Sequence, residues 1–428
     1  MKLKLCLLLF LCPIFRGLAQ ENNIKNIPRA IAIGDKVPDL RITHILNYRD
    51  KATSLYAFKG KLLILDFWDT WCATCVEALP RLDSLQKAFG DSICILPVTS
   101  QEENAIRKFL QQNLYLKGLP ITTATGDTTL RRHFPHTQLP HDVWIDKNGK
   151  VCAITDTQYI NTRNIRAVLQ GKIPSWAVKS DNTGFDENKP ILGLARLTGF
   201  YSALTPYLPG LPPVFGTRED TLAHTVRTYA VNFPILKLYM MAWGRLLYFP
   251  PNRICLEVKD STRFLYDPQN TYRADWDRKN SYVYESILPA NTPDSVRLSV
   301  MRQDLDRFLA LHGRMEKRKL DCLVLSLSGK DTSLFRSRGG KAINTLNAAS
   351  GTKELRNAKL SNILWQMNRQ RGSLPVVDET GYTGKADLRL DVASFNDIPK
   401  VQAALAPYGL QLKKAVRELE VFVLTQNP

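Results

Sequence analysis

The chain has 428 residues, 44% of them hydrophobic and 23% charged, with a formal net charge of +18. That length suits two or three domains of roughly 100–200 residues, and that balance excludes a disordered chain. Residues 196–428 carry 33 basic and 22 acidic residues, so most of the positive excess lies in the second half. A solvated basic face is the plain reading of that excess, and contact with an anionic envelope surface the functional one. No zinc-finger spacing or glycine-aromatic RNA motif is present, so no nucleic-acid partner is expected.

The N-terminus reads MKLKLCLLLFLCPIFRGLAQ. Lys2 and Lys4 precede a short apolar run from Leu5 to Phe15, and Gly17-Leu18-Ala19 offers small residues for cleavage. Residues 1–19 are therefore expected to be a signal peptide, and the chain to be periplasmic. The run is short for a membrane span and contains Pro13, which leaves an uncleaved anchor as the lesser alternative. Cys12 follows Leu9-Phe10-Leu11 rather than a small residue, which argues against a lipid-modified cysteine. Removing Lys2, Lys4 and Arg16 with the signal leaves a charge of +15.

Residues 20–34 form a short polar lead, and an α/β pattern with a mixed sheet occupies 35–172. LLILDFW (62–68) is a continuous apolar run, the signature of a buried central strand. From Cys75 to Phe89 the apolar residues Val76, Leu79, Leu82, Leu85 and Phe89 recur at helical spacing. SICILPVTS (92–100) reads as a second buried strand and Glu102 to Asn113 as a helix. HDVWID (141–146) and KVCAIT (150–155) flank Lys147-Asn148-Gly149, a hairpin turn. A helix from Asn161 to Leu169 closes the pattern, and the turn-rich stretch 173–195 reads as a linker.

Cys72 and Cys75 stand where the first strand gives way to the first helix. A metal clip, a permanent disulfide and a redox-active dithiol all fit a Cys-x-x-Cys spacing. A sulfur at a helix start meets unpaired backbone N–H groups and the positive end of the helix dipole, and both favour the nucleophilic thiolate. Cys75, one turn on, is placed to resolve a mixed disulfide. Asp66 lies on the strand among apolar neighbours, where its pKa would rise and it would exchange a proton with Cys75. A purely structural carboxylate is the alternative there. Asp69 is expected nearer the surface of the turn, opposing thiolate formation and favouring a reductant over an oxidant. His133, His136 and His141 make copper handling the chemical rival, although no metal site and no cofactor are expected.

These residues resemble the exported TlpA/ResA-type thiol-disulfide oxidoreductases of thioredoxin fold. GDKVPDL (34–40), FKGKLLILDFWDTWCATCVEALPRL (58–82) and LPHDVWIDKNGKV (139–151) carry the resemblance, over about a third of the chain. It implies Cys72 as the attacking and Cys75 as the resolving cysteine. It also implies a cis Pro140 facing them, a backbone edge at Leu139 that pairs with substrate, and Trp71 shielding the cysteine face. The partners implied are disulfide-containing client proteins and a membrane thiol electron donor. Ala78 stands where the family often has Glu, which weakens transfer of a role in cytochrome maturation. The proline-threonine pattern of peroxiredoxins is absent before Cys72.

Residues 196–428 read as an α+β domain. ICLEVKD (254–260), YVYESILP (282–289) and LDCLVLSL (320–327) are expected strands, and Ser295 to Leu311 and Leu360 to Arg369 expected helices. VVDETGYTGKADLRLDV (376–392) reads as two strands around a glycine-rich turn. Residues 305–326 and 401–425 form a weak internal repeat, each a helix, a glycine, a basic stretch and a final apolar strand. Cys94 and Cys152 are expected to be buried, inert thiols, and Cys255 and Cys322 fall in strands where a structural disulfide is one reading. Asp378, Glu379 and Asp387 suggest turn stabilisation rather than catalysis. This half resembles an exported bacterial domain of unknown function, carried by FPPNRICLEVKD (249–260), MRQDLDRF (301–308), LPVVDETGYTGKADLRLDV (374–392) and LEVFVL (419–424). The expectation for the whole chain is an exported thiol-disulfide reductase. An envelope-binding scaffold built on the basic second half is the alternative.

Overall fold

Buried central strands need apolar side chains on both faces, and the run 62–68 supplies them. The computed structural model describes residues 29–426 except 49, 114, 115, 117, 183, 192–198, 247–248 and 349–351. The signal peptide expected over 1–19 lies outside the described residues. The chain divides into two compact units between Val178 and Lys179.

The first unit runs β1 (Arg41–Ile42), β2 (Ile45–Leu46), β3 (Thr53–Ser54), β4 (Leu62–Phe67), α1 (Ala73–Phe89), β5 (Ile93–Val98), α2 (Glu103–Gln112), β6 (Thr123–Ala124), α3 (Thr129–His133), β7 (His141–Ile145), β8 (Val151–Thr155) and α4 (Thr162–Leu169). Its main sheet has the order β2-β6-β5-β4-β7-β8. β4 pairs parallel with β5 and antiparallel with β7, which makes the sheet mixed and the fold thioredoxin-like. All six residues of β4 are buried. One sheet face carries Leu65, Phe67 and Val143 into a core with Leu130 and Phe134. The other face lies under α1, where Val76 and Leu79 pack with Trp68. Gly90 ends α1 at φ 53°, a conformation that a side chain would penalise.

The second unit runs β9 (Tyr201–Pro206), β10 (Phe215–Asp220), β11 (Thr225–Pro234), α5 (Ile235–Ala242), β12 (Ile254–Glu257), α6 (Arg273–Asn280), β13 (Ser281–Pro289), α7 (Asp294–Leu309), β14 (Leu311–Leu327), β15 (Ile343–Asn344), β16 (Lys353–Lys359), α8 (Ser361–Asn368), β17 (Val376–Asp378), β18 (Lys385–Leu390), α9 (Ile398–Leu405) and β19 (Leu410–Gln426). Its sheets have the orders β10-β11-β13-β9, β12-β19-β14-β17 and β15-β16-β18. It is an α+β unit.

The described residues of the stretch 173–195 pack against the two units, each on its own side of the division. Trp176 packs on Trp144, with ring centroids 5.0 Å apart, while Phe185 and Ile191 pack on Tyr229, Val231 and Val283. The two strands expected around the turn in 376–392 exist but do not form a hairpin. β17 pairs with β14 and β18 with β16, so the turn carries the chain from one sheet to another.

The segments 305–326 and 401–425 share an order of helix then long strand. β14 and β19 are both 17 residues long and pair antiparallel throughout, from Leu311↔Gln426 to Leu327↔Leu410. Their glycines are not equivalent. The strand starts, Leu311 and Leu410, are 99 residues apart, and the same offset takes Ala310, not Gly313, onto Gly409. Ala310 and Gly409 both adopt the left-handed conformation that ends a helix, with φ of 52° and 69°. Gly313 serves close packing instead, since a Cβ there would lie 2.5 Å from the ring of Tyr239.

Candidate active site

Cys72 and Cys75 are joined by a disulfide at the start of α1. Cys72 is the N-cap, and its Sγ accepts the backbone N–H of Cys75 at 3.3 Å. The Thr74 hydroxyl lies 3.5 Å from the same sulfur. Cys72 is 7% exposed and Cys75 is fully buried, so an approaching group reaches Cys72 first. Both pack in one cluster with Trp68, Val76 and Leu79, against which Leu139 leans.

Trp71 is 69% exposed. The tryptophan packed in the cysteine cluster is Trp68, 1% exposed, with its Nε1 donating to Thr123 Oγ1 at 3.1 Å. Strand alternation explains the difference: Trp68 continues the buried β4 while Trp71 tops the turn. Asp69 is also not at the surface. It is 6% exposed and accepts the Thr99 hydroxyl at 2.6 Å, so its carboxylate is held toward the end of β5. The Leu139–Pro140 bond is cis.

Asp66 is fully buried on β4 and accepts the Thr157 hydroxyl at 3.4 Å. Burial raises its pKa. Directly across the antiparallel ladder stands Asp142 of β7, also fully buried. Burial first, and then the adjacent Asp66, push Asp142 well above the usual carboxylate range. Sequence reasoning missed Asp142. Its strand reads as apolar, and only the β4–β7 register brings the two carboxyls together. Arg81 of α1 donates to the carbonyls of Thr157 and Ile160 and favours the ionised forms of both acids.

Phe67 and His141 are cross-strand partners on the opposite sheet face, where the rings of His136 and His141 stack 4.6 Å apart. His133 Nδ1 lies 2.9 Å from the carbonyl of Thr129. Among the described residues no group of three or more His, Cys, Asp or Glu is arranged to hold a metal ion. Cys94, Cys152, Cys255 and Cys322 are free thiols. Cys255 and Cys322 cannot pair in this fold. Their strands β12 and β14 are separated by β19, on which Cys255 sits opposite Val423 and Cys322 opposite Ala415.

Two family models match separate stretches of the chain, one within each unit. Residues 33–154 match the AhpC/TSA family, and residues 265–426 match the family described as Protein of unknown function (DUF3738). The residues that match the AhpC/TSA family lie within the first unit, whose fold is thioredoxin-like. This thioredoxin-fold domain is similar to a thiol-disulfide oxidoreductase ResA of Bacillus cereus, at 30% identity over 121 residues. That match covers 28% of this chain and 66% of ResA, just under two thirds of that relative's length. It is also similar to the thioredoxin-like protein YneN of Bacillus subtilis, 34% identical over 80 residues, or 18% of this chain and 45% of YneN. Among solved structures, the exposed lipoprotein thioredoxin Etrx1 of Streptococcus pneumoniae aligns at 25% identity with a TM-score of 0.25, covering 31% of this chain and 97% of its own. Among the described residues no helix is long and apolar enough to cross a membrane.

The carboxylates of 376–392 are tied into structure. Asp378 accepts the N–H and hydroxyl of Thr380, Glu379 holds Arg417 through both oxygens, and Asp387 accepts the N–H groups of Arg338 and Asn357.

Proposed function

We propose that the chain is an exported thiol-disulfide oxidoreductase that reduces disulfides in client proteins. The observation that carries this reading is the Cys72–Cys75 disulfide at the start of α1, with the outer sulfur more exposed and in contact with a helix-terminal N–H. Reduced Cys72 attacks a client disulfide. Cys75 then attacks Cys72, releases the reduced client and closes the observed disulfide. Asp66 exchanges the proton of Cys75. Trp71, Leu139 and Pro140 border the groove that receives the client strand.

A membrane thiol donor returns the electrons, and the N-terminal sequence pattern supports export. The reductive direction is favoured by a Cys-x-x-Cys centre, Ala73-Thr74, that brings no cationic group to stabilise a thiolate. The basic second unit positions a partner or an anionic envelope surface. The test is the reduction potential of the Cys72–Cys75 pair, with Cys75→Ser to trap the client. A potential near thioredoxin's, about −270 mV, supports a reductase, and one near about −120 mV an oxidase. A pair that does not cycle removes the reading.

A further inference from the structure

The two buried carboxyls have more acceptors than donors. Asp66 and Asp142 face each other from paired strands, both at 0% exposure. If both are ionised, neither can donate to the other. Asp66 Oδ2 and both oxygens of Asp142 then have no hydrogen-bond donor. The Thr157 hydroxyl donates to Asp66 Oδ1, at a long 3.4 Å. Arg81 Nη1 and Nη2 donate to the carbonyls of Ile160 and Thr157 rather than to either carboxyl. Two negative charges side by side in this dry site would repel each other strongly. One proton between them removes the repulsion and supplies the missing donor.

We propose that Asp142 and Asp66 form a dyad that holds one shared proton, and that Asp142 sets the proton affinity of Asp66 toward Cys75. This rests on the oxidoreductase reading above. Placement supports it: Asp66 and Asp142 lie on the sheet face opposite Phe67 and His141, the face on which Trp68 packs with Cys75 under α1. The charged groups that bear on the dyad are Arg81 from α1 and Asp156 from the turn before α4. Arg81 favours ionisation, and Asp156 favours the bound proton.

A shared proton serves both half-reactions. When a client is reduced, the proton rests on Asp142 and the Asp66 carboxylate takes the Cys75 proton. The Cys75 thiolate attacks Cys72 Sγ, the mixed disulfide breaks, and the leaving client thiolate takes the Cys75 proton back from Asp66, which returns the dyad to one proton; the first client thiolate has already taken up, through solvent, the proton that Cys72 gave up. When a donor dithiol reduces the pair, a donor thiolate attacks Cys72 Sγ and the Cys72–Cys75 bond breaks. Cys75 leaves as thiolate and takes the dyad proton through Asp66. The donor's second thiol then closes the donor disulfide and frees Cys72, and the dyad refills from solvent. Two electrons and two protons pass in each direction. Asp142 is a positioning residue, because it acts only through Asp66.

The test follows disulfide exchange by the full chain against a self-quenched disulfide-linked peptide, from about pH 5 to 10. Giving up the last dyad proton leaves two adjacent negative charges, which makes the dyad hold that proton tightly, and Asn at 142 removes that repulsion. In reduction by a donor dithiol, where Cys75 takes this proton, Asp142→Asn is therefore expected to move the alkaline midpoint to lower pH by at least about one unit, a tenfold change in proton affinity. Asp142→Glu should restore it in part. A merely structural Asp142 would lower thermal stability and leave the pH profile in place. An unshifted Asp142→Asn profile in an active protein overturns the dyad alone. A wild-type protein without exchange overturns the oxidoreductase reading instead. A second measurement needs no variant. At about pH 8 exposed carboxyls are ionised, so the infrared band of a protonated carboxylic acid in the wild-type protein reports the shared proton. Its absence overturns the dyad.

Discussion

The backbone N–H of Cys75 points at the sulfur of Cys72, 3.3 Å away, across the first turn of α1. In the reduced protein that N–H and the helix dipole stabilise a thiolate on Cys72 and do nothing comparable for the buried Cys75. Alkylation of the reduced chain should therefore modify Cys72 first, with a pH midpoint below the free-cysteine value of about 8.5. Cys72→Ser should abolish client reduction. Cys75→Ser should accumulate a mixed disulfide seen on a non-reducing gel. Equal labelling of both cysteines at neutral pH would contradict the assignment of Cys72 as nucleophile.

The remaining thiols of the first unit behave differently. Burial pushes Cys94 up to about 12 and Cys152 up to about 11, from 9.0. Native alkylation near neutral pH should leave both unlabelled, and denaturant should expose them. The same shifts carry a stability prediction. A thiol that binds its proton more tightly folded than unfolded contributes stability below the unfolded pKa and loses it as pH rises through the folded one. The first unit should therefore lose thermal stability progressively from about pH 9 to pH 12. Cys94→Ala should flatten that decline, as followed by circular dichroism melts.

How far the sequence predicts this arrangement depends on whether a feature is local. β4 and α1 are legible because a central strand must be apolar on both faces and a helix must repeat its apolar positions. The dithiol is legible for the same reason, since Cys72 and Cys75 lie within one turn. The Asp66–Asp142 pair is not, because it depends on strand register across 76 residues. Trp68 and Trp71 differ in burial because the end of β4 decides which ring turns inward. In the second unit β10 escapes detection because FGTRED has no buried residue, and the 376–392 turn looks like a hairpin because sequence does not say which sheet each strand joins.

An ion pair lies buried in the second unit. Arg227 and Glu285 are diagonal neighbours on the paired strands β11 and β13, with side chains 6% and 0% exposed and a 3.2 Å contact. Glu285 also accepts the Ile191 N–H and the Tyr201 hydroxyl. Removing Glu285 leaves the buried Arg227 charge with no counter-charge and only the carbonyls of Glu187 and Lys189 as hydrogen-bond partners, at a cost of up to about 3–5 kcal/mol. Glu285→Ala should lower the unfolding transition of this unit accordingly. Disulfide exchange at Cys72 should be unchanged if the first unit folds independently. A loss of under about 1 kcal/mol would show that water reaches Arg227.

Ala310 and Gly409 occupy equivalent places at the ends of α7 and of the helical segment after α9, each just before a long strand. Both have positive φ, 52° and 69°. An alanine there bears the steric cost of its Cβ against the following carbonyl, about 1–2 kcal/mol, which glycine avoids. Ala310→Gly should therefore stabilise the second unit by up to about 1 kcal/mol, after the entropy glycine adds to the unfolded chain is deducted. Gly409→Ala should destabilise it by a similar amount. Space does not limit that second change, because a Cβ at 409 would meet Ser328 Oγ no closer than 3.6 Å. Strain alone is then being measured. Chemical denaturation of the full chain and of each variant gives both signs. Opposite signs at positions 99 residues apart would establish that the two helix–strand segments terminate by the same device. Ala310→Gly destabilising the unit would mean that its alanine is held by packing and not merely tolerated.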